Sequence, residues 1–583
     1  MSRKDDEQVM EISYKKTPEA FFFTPGLDAG LSVLSPPDWT WREAHCGNIK
    51  GYPISAYAHI NELTATHIRN YDRLRKFKAP VTFNTVPVIV DNVHFSHSFT
   101  GIDGKWVLNG ASGTRLRNRY VWKNKDHNPD IDADVIAYFK ACHEDPEKHA
   151  TLPVFEGDIR DLDFAIDCRN TFNFYHFLTE TLCQLCLLDG LDFRGQILIH
   201  SPSQGMRDFI QDWVDALFPE YSDQVKFRRS PKKYDRVLSA FNLRHFYHQT
   251  SEQVMPSLDH LAPRGWIWRQ RDADRNSHAL LAMNSYDVML ARLRARALDK
   301  IKGMETGHMP RRFWVARAAT GNRNREMRNE DKLIEALRPH DFQVIYFEHL
   351  KPLEQVAIMA NAEVMMSYHG AGFANMLFAS PTTHCIEVGN LQSALHRWGD
   401  FMPHALVSGC AYRNFFADFN TDTPEIVPDI LTEGLVPVAL SLEGVHRLAR
   451  YVELLTAEAA IPMTDAELLA SVKMLVTLGE RRALRILLEP NKHRFKLDPD
   501  LWAAWAQCCE EIEDFAGVFD ALSQVFAAAP DRFWVLERQI WLTKRIERLD
   551  LTPGLLEQHA ALFPKRHTSF CEKIRWYKQK KPA

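Results

Sequence analysis

No stretch of this sequence approaches the roughly 18 consecutive apolar residues that a membrane-crossing helix needs. The charged start, MSRKDDEQVM, lacks the apolar run of a secretory signal, so neither insertion nor signal-led export is expected. Positive charge is also not in excess. Lys and Arg number 71 against 75 Asp and Glu, a formal −4, which argues against a general nucleic-acid binder. The ten cysteines follow no repeating frame, so a disulfide-stapled fold is not expected and reduced thiols in a cytoplasm are. Cys183 and Cys186 are the one close pair. With no second pair to complete a zinc site, they read as core residues on an apolar helical face.

What is present is length and alternation. At 583 residues the chain calls for two to four domains. Residues 1–75 mix turns with aromatic patches and read as an irregular N-terminal extension. Short strands begin at Val81, with a hairpin signal at Asp103-Gly104. His94 and His97 are placed on one strand and read as sharing a face. In DLDFAIDCRNTFNFYHFLTETLCQLCLL, a strand at Phe164–Ile166 runs through the polar turn Asp167–Thr171 into a helix. His176 and Glu180 fall four apart on one face of that helix, near its start, where they can face a crevice. Further βα alternation over 76–275 predicts a parallel doubly wound sheet. A mixed-charge helical run within 276–310 reads as a connector.

A second alternation follows over 311–455. The strand Arg312–Val315 leads into the loop ARAATGNRNREMRN, whose Arg317, Arg323, Arg325 and Arg328 suit a polyanion. Asn329 reads as the cap of the next helix. The strand Val364–Met366 then runs into His369-Gly370-Ala371-Gly372 and an apolar helix that stops at Ser380-Pro381. Such a strand–turn–helix places amides and a helix dipole at one sheet edge, where an anion can sit. The two glycines read as room for a phosphate to approach the backbone. From 456 to 583 the pattern is wholly helical. Pro530 and Pro564 lie 34 residues apart, the period of a tetratricopeptide repeat.

Three blocks together resemble glycosyltransferase family 61. They are NFYHFLTETL (Asn173–Leu182), VARAATGNRNREMRNEDKL (Val315–Leu333) and EQVAIMANAEVMMSYHGAGFANMLFASPTTHCIEVG (Glu354–Gly389). The likeness covers about 80 to 400. Phe174, Phe177 and Ala316 stand where the family more often has Tyr, Trp and Ser. The resemblance implies an α/β fold of the GT-B type, with two facing Rossmann-like lobes, the first for the acceptor and the second for the donor. It also implies inverting, metal-independent transfer from a nucleotide-sugar, a UDP-sugar by expectation, to a hydroxyl of a surface polysaccharide or lipid-linked glycan. No cofactor beyond the nucleotide-sugar is implied.

On this resemblance the donor diphosphate falls to Arg317 and Arg325 with the amides of Gly370, Ala371 and Gly372. His369, Asn329, Asn375 and Glu387 are further donor-side candidates. The general base is His176 or Glu180, with Asp167 a third candidate, and Asn173 and Tyr175 lie on the acceptor side. The helical tail offers a surface for a protein partner. The setting implied is cytoplasmic, at the inner face of a membrane, with no transmembrane segment. Two rivals stand against this reading. One is a metal-dependent GT-A transferase using Asp130/Asp132 or Asp161/Asp163, and the other is a non-catalytic scaffold for glycan-assembly enzymes.

Overall fold

A computed structural model of the chain describes residues 12–39, 41–44, 47–73, 80–142, 152–202, 205–244, 285–317, 327–496 and 498–578. The chain divides into two compact units, 1–328 with 341–439, and 329–340 with 440–583.

The first unit holds two large sheets. In one, the strands Phe164–Asp167, Ile197–Ser201 and Val225–Arg229 are parallel, with Ile197 opposite both Phe164 and Val225. The sequence pattern predicted a wholly parallel sheet, but this one is mixed. The long strand Lys232–Asn242 runs antiparallel to Thr85–Ser96, which continues into the hairpin Phe99–Ile102/Lys105–Val107. Along Thr85–Ser96 the consecutive Val88, Ile89 and Val90 are buried, as are Val93 to Ser96, so both faces of this strand are largely covered. His97 lies past the strand end in a turn at φ 52°, so His94 and His97 do not share a strand face.

The second sheet is parallel across Gln343–Ile345, Arg312–Val315, Val364–Tyr368, His384–Asn390 and Ala411–Phe419, with antiparallel Val438–Ala439 beside the last. Its central strands, VMMSY and HCIEVGN, are almost wholly buried, as strands covered on both faces must be. The N-terminal segment is not an appendage. Phe22–Phe23 and Leu31–Val33 join the first sheet, and Asn48–Pro53 pairs with Ala411–Phe419 in the second. One apolar core runs between the sheets, including Phe164, Leu182 and Trp213 together with Met365, Leu377 and Phe378. Trp213 stacks on Phe378 at 5.7 Å. Each fully buried side chain of that size contributes about 2 kcal/mol. Cys183 and Cys186 lie in this core, where burial pushes the Cys186 thiol up to about 12.

The second unit is helical among its described residues. Its helices include Leu442–Thr456, Asp465–Leu478, Arg481–Leu488, Pro499–Glu511, Phe515–Ala528, Phe533–Arg545 and Thr552–Leu562. Their limits are written locally. Thr464 and Glu467 form a capping box, Asp498 caps with its carboxylate, and Gly479 at φ 76° ends a helix. Leu468, Val472, Leu475 and Leu478 are buried at helical spacing. The helix Glu330–Leu337, read from sequence as part of the second alternation, belongs to this unit. Asn329 precedes it at φ 65°, but its side chain makes no cap bond. Its amide donates to the Leu440 carbonyl instead, at 2.6 Å.

Candidate active site

The first sheet ends in a short, irregular helix. One turn at Phe174–His176 gives way to a π-turn over Phe177–Thr181 and a 3₁₀ run over Leu182–Leu188. The regular helix expected from apolar spacing is therefore absent, and π-turns of this kind are frequent at functional sites. The pair on its face survives: His176 Nδ1 lies 2.8 Å from Glu180 Oε1. The other Glu180 oxygen accepts from Arg115 Nη1 at 2.5 Å. Burial would raise this carboxylate, but Arg115 and His176 outweigh it and hold Glu180 down at about 2. Arg169 Nη1 stands 3.4 Å from the same His176 nitrogen. The shorter contact decides the tautomer: Nδ1–H donates to Glu180, leaving Nε2 with its lone pair.

Asp167 lies at the end of its strand beneath this group. It accepts from Thr100 Oγ1 at 3.0 Å and Ser112 Oγ at 3.1 Å, and burial raises it to about 6 despite Arg115 nearby. Asn173 caps the turn that carries His176, accepting from the His176 amide at 3.4 Å. Its carbonyl is thus spent on the fold. Tyr175 crosses to the second sheet's side, donating to the Asp400 carbonyl at 2.7 Å and packing on Phe401 and His404. Thr179 Oγ1 is 2.9 Å from His404 Nε2, and burial lowers His404 to about 3.

On the second sheet, Val364–Tyr368 delivers His369 and Gly370 at its C-terminal edge. Arg317 follows the neighbouring strand and lies over the Tyr368 ring at 4.8 Å, donating to the His369 carbonyl at 2.9 Å. A Cβ at Gly370 would sit 1.5 Å from Arg317 Nη2. The sequence reading gave both glycines one reason. Only Gly370 has a spatial one, and the group it admits is Arg317. At Gly372 a Cβ would meet Phe347 at an ordinary 3.4 Å. Ala371–Phe378 then winds as a 3₁₀ helix.

His369 Nδ1 lies 2.6 Å from Glu387 Oε1, and Tyr412 donates its phenol hydrogen to Glu387 Oε2. Glu387 stands inside the strand His384–Asn390 and is buried. Asn375 is fully buried, its amide donating to Gln355 at 3.1 Å. Ala371 and Gly372 open the helix, and Asn329 lies in the other unit. Arg325 and Arg323 fall outside the described residues. Among the rival acidic pairs, Asp132 is ion-paired to Arg117 at 2.5 Å and Asp163 accepts from the Gln196 amide. Among the described residues no three His, Cys, Asp or Glu side chains are grouped to hold a metal.

The two His–Glu pairs meet around Arg397–His404. The Phe401 ring is 5.3 Å from His369 and 5.5 Å from Tyr175, and Tyr175 is 5.0 Å from His176. Sequence reasoning missed Arg115, Arg169, Asp400, Phe401 and Tyr412. Arg115 sits 65 positions from Glu180, too far for any spacing rule to join them. The stretch Arg397-Trp398-Gly399-Asp400-Phe401, charged and aromatic between two short helices, was the one available signal.

No match to the chain was found among curated proteins. Residues 174–386, which carry His176, Glu180, Arg317, His369 and Gly370, match the family model described as Glycosyltransferase 61, in support of the resemblance read from the three sequence blocks.

Proposed function

We propose that this chain is a glycosyltransferase that moves a sugar from a nucleotide-sugar, a UDP-sugar by preference, to a hydroxyl of a glycan or lipid-linked acceptor. The observation that carries this reading is the convergence of two His–Glu pairs, one from each sheet, with His176, Glu180 and His369 inside the region that matches the family model and Glu387 just past its end. The two sheets then serve as the facing lobes of a GT-B fold. The diphosphate sits against Arg317 and the amides of Gly370, Ala371 and Gly372, because the first amides of a helix have no partner within it. His176 takes the proton of the acceptor hydroxyl on Nε2, with Glu180 and Arg115 holding the ring. The acceptor oxygen bonds to the anomeric carbon, and the electron pair of the breaking bond leaves on the diphosphate. One displacement inverts the anomeric centre. His369, aimed by Glu387 and Tyr412, touches the donor. The helical unit, with tetratricopeptide-like helix lengths, supplies a docking surface for an assembly partner.

Thermal shift with UDP-, GDP- and CMP-sugars tests the reading. A stabilising nucleotide is expected, and no binding at millimolar UDP favours the scaffold. Activity abolished by EDTA and restored by Mn²⁺ favours the metal-dependent rival. His176→Ala should lower turnover about 100-fold with UDP affinity kept. A large loss of UDP affinity would move His176 to the donor side.

A further inference from the structure

Asp400 lies outside the family-matched region and outside every motif read from the sequence. It stands between the helices Leu391–His396 and Met402–Ser408, one residue after Gly399, whose φ of 128° suits only glycine. Its backbone is anchored, since the Asp400 carbonyl accepts from Tyr175 Oη at 2.7 Å. Its carboxylate is spent on nothing so close. The nearest ionic partner among the described residues is Arg397 Nη1 at 3.6 Å, beyond hydrogen-bond distance, and the side chain is 39 % exposed. The residues on either side fix where it points. Arg397 lies one turn before it, and Phe401 carries its ring to within 5.3 Å of His369.

The charges that reach this carboxylate come from both sheets: His369, Glu387 and Arg397 on one side, and His176 on the other. Burial raises its pKa ahead of all of them. An anchored carboxylate with free oxygens, bordered by the rings of Tyr175 and Phe401, has the chemistry of a sugar subsite. Carboxylate oxygens accept from hydroxyls in charge-assisted bonds, and aromatic rings cover the apolar face of a pyranose. A negative charge here is unfavourable for a diphosphate, which belongs with Arg317. The plainer reading is a partly exposed pair with Arg397, and such pairs add little to stability.

We propose that Asp400 accepts hydrogen bonds from hydroxyls of the transferred sugar and so helps decide which sugar is used. This rests on the glycosyltransferase reading, as the sugar must arrive on a nucleotide. The test measures binding of UDP by calorimetry, and binding and UDP release with UDP-glucose, UDP-N-acetylglucosamine and UDP-xylose. Asp400→Asn is expected to keep its melting midpoint and its UDP affinity within about twofold, and to lose roughly 30-fold in turnover of the best donor. Asp400→Glu should reorder the three donors. Arg397→Ala should cost far less than Asp400→Asn.

Unchanged turnover and donor order in both Asp400 variants would overturn the proposal. So would a parallel loss of UDP affinity, which would place Asp400 on the nucleotide. A wild type that binds UDP but neither binds nor turns over any attached sugar more strongly overturns it as well. A wild type that binds none of UDP, GDP and CMP overturns the glycosyltransferase reading itself, and that result is visible before any variant is made.

Discussion

His176 and His369 each present Nδ1 to a glutamate, at 2.8 and 2.6 Å, yet the two glutamates are held by different means. Glu180 spends its other oxygen on the Arg115 guanidinium, and Glu387 spends its on the Tyr412 phenol. The first network balances a carboxylate with a cation. The second joins its carboxylate to a neutral donor, whose own pKa burial and Glu387 drive upward. A histidine needs only an acceptor to fix its tautomer. What stands behind that acceptor then decides how hard the network is to break, and whether salt and pH can reach it.

Arg115→Ala should give the largest effect, because it strands a buried carboxylate. A loss of about 3 kcal/mol in urea unfolding is expected. The pH dependence sharpens the point. Glu180 is depressed from 4.5 to about 2, so its contribution is present above pH 4.5 and lost as pH falls toward 2. The gap between wild type and Arg115→Ala should close over that window. A gap constant with pH would mean that packing, and not charge, is what Arg115 supplies.

Tyr412→Phe removes one hydrogen bond to a carboxylate and should cost about 1.5 kcal/mol in urea unfolding. A loss equal to that of Arg115→Ala would erase the distinction between the networks. The smallest effect is expected at Gly370→Ala. The new methyl displaces Arg317, and UDP affinity should fall about fivefold, near 1 kcal/mol, with stability almost kept. Full UDP affinity in that variant would remove Arg317 from the donor side.

Legibility followed the range of the interaction. The strands Phe164–Asp167, Val364–Tyr368 and His384–Asn390 were readable because apolar runs bounded by polar turns have a local signature. The His176/Glu180 contact was readable because four residues span one turn. The π-turn between them was not, since apolar spacing alone does not register one extra residue in a turn. The mixed character of the first sheet was hidden for another reason. Lys232–Asn242 has the composition of a strand in either direction, and its antiparallel partner lies more than a hundred residues earlier.

By itself the sequence determined the histidines, the one glutamate four residues past His176, the glycine turn and the helical tail, because each rests on neighbours along the chain. Only the tertiary structure decided that Arg115 guards Glu180, that Gly370 makes room for Arg317, and that both histidines act electrostatically on Asp400. Those relations join residues up to 225 positions apart, as Tyr175 and Asp400 are, and only the packing of the two sheets brings them together.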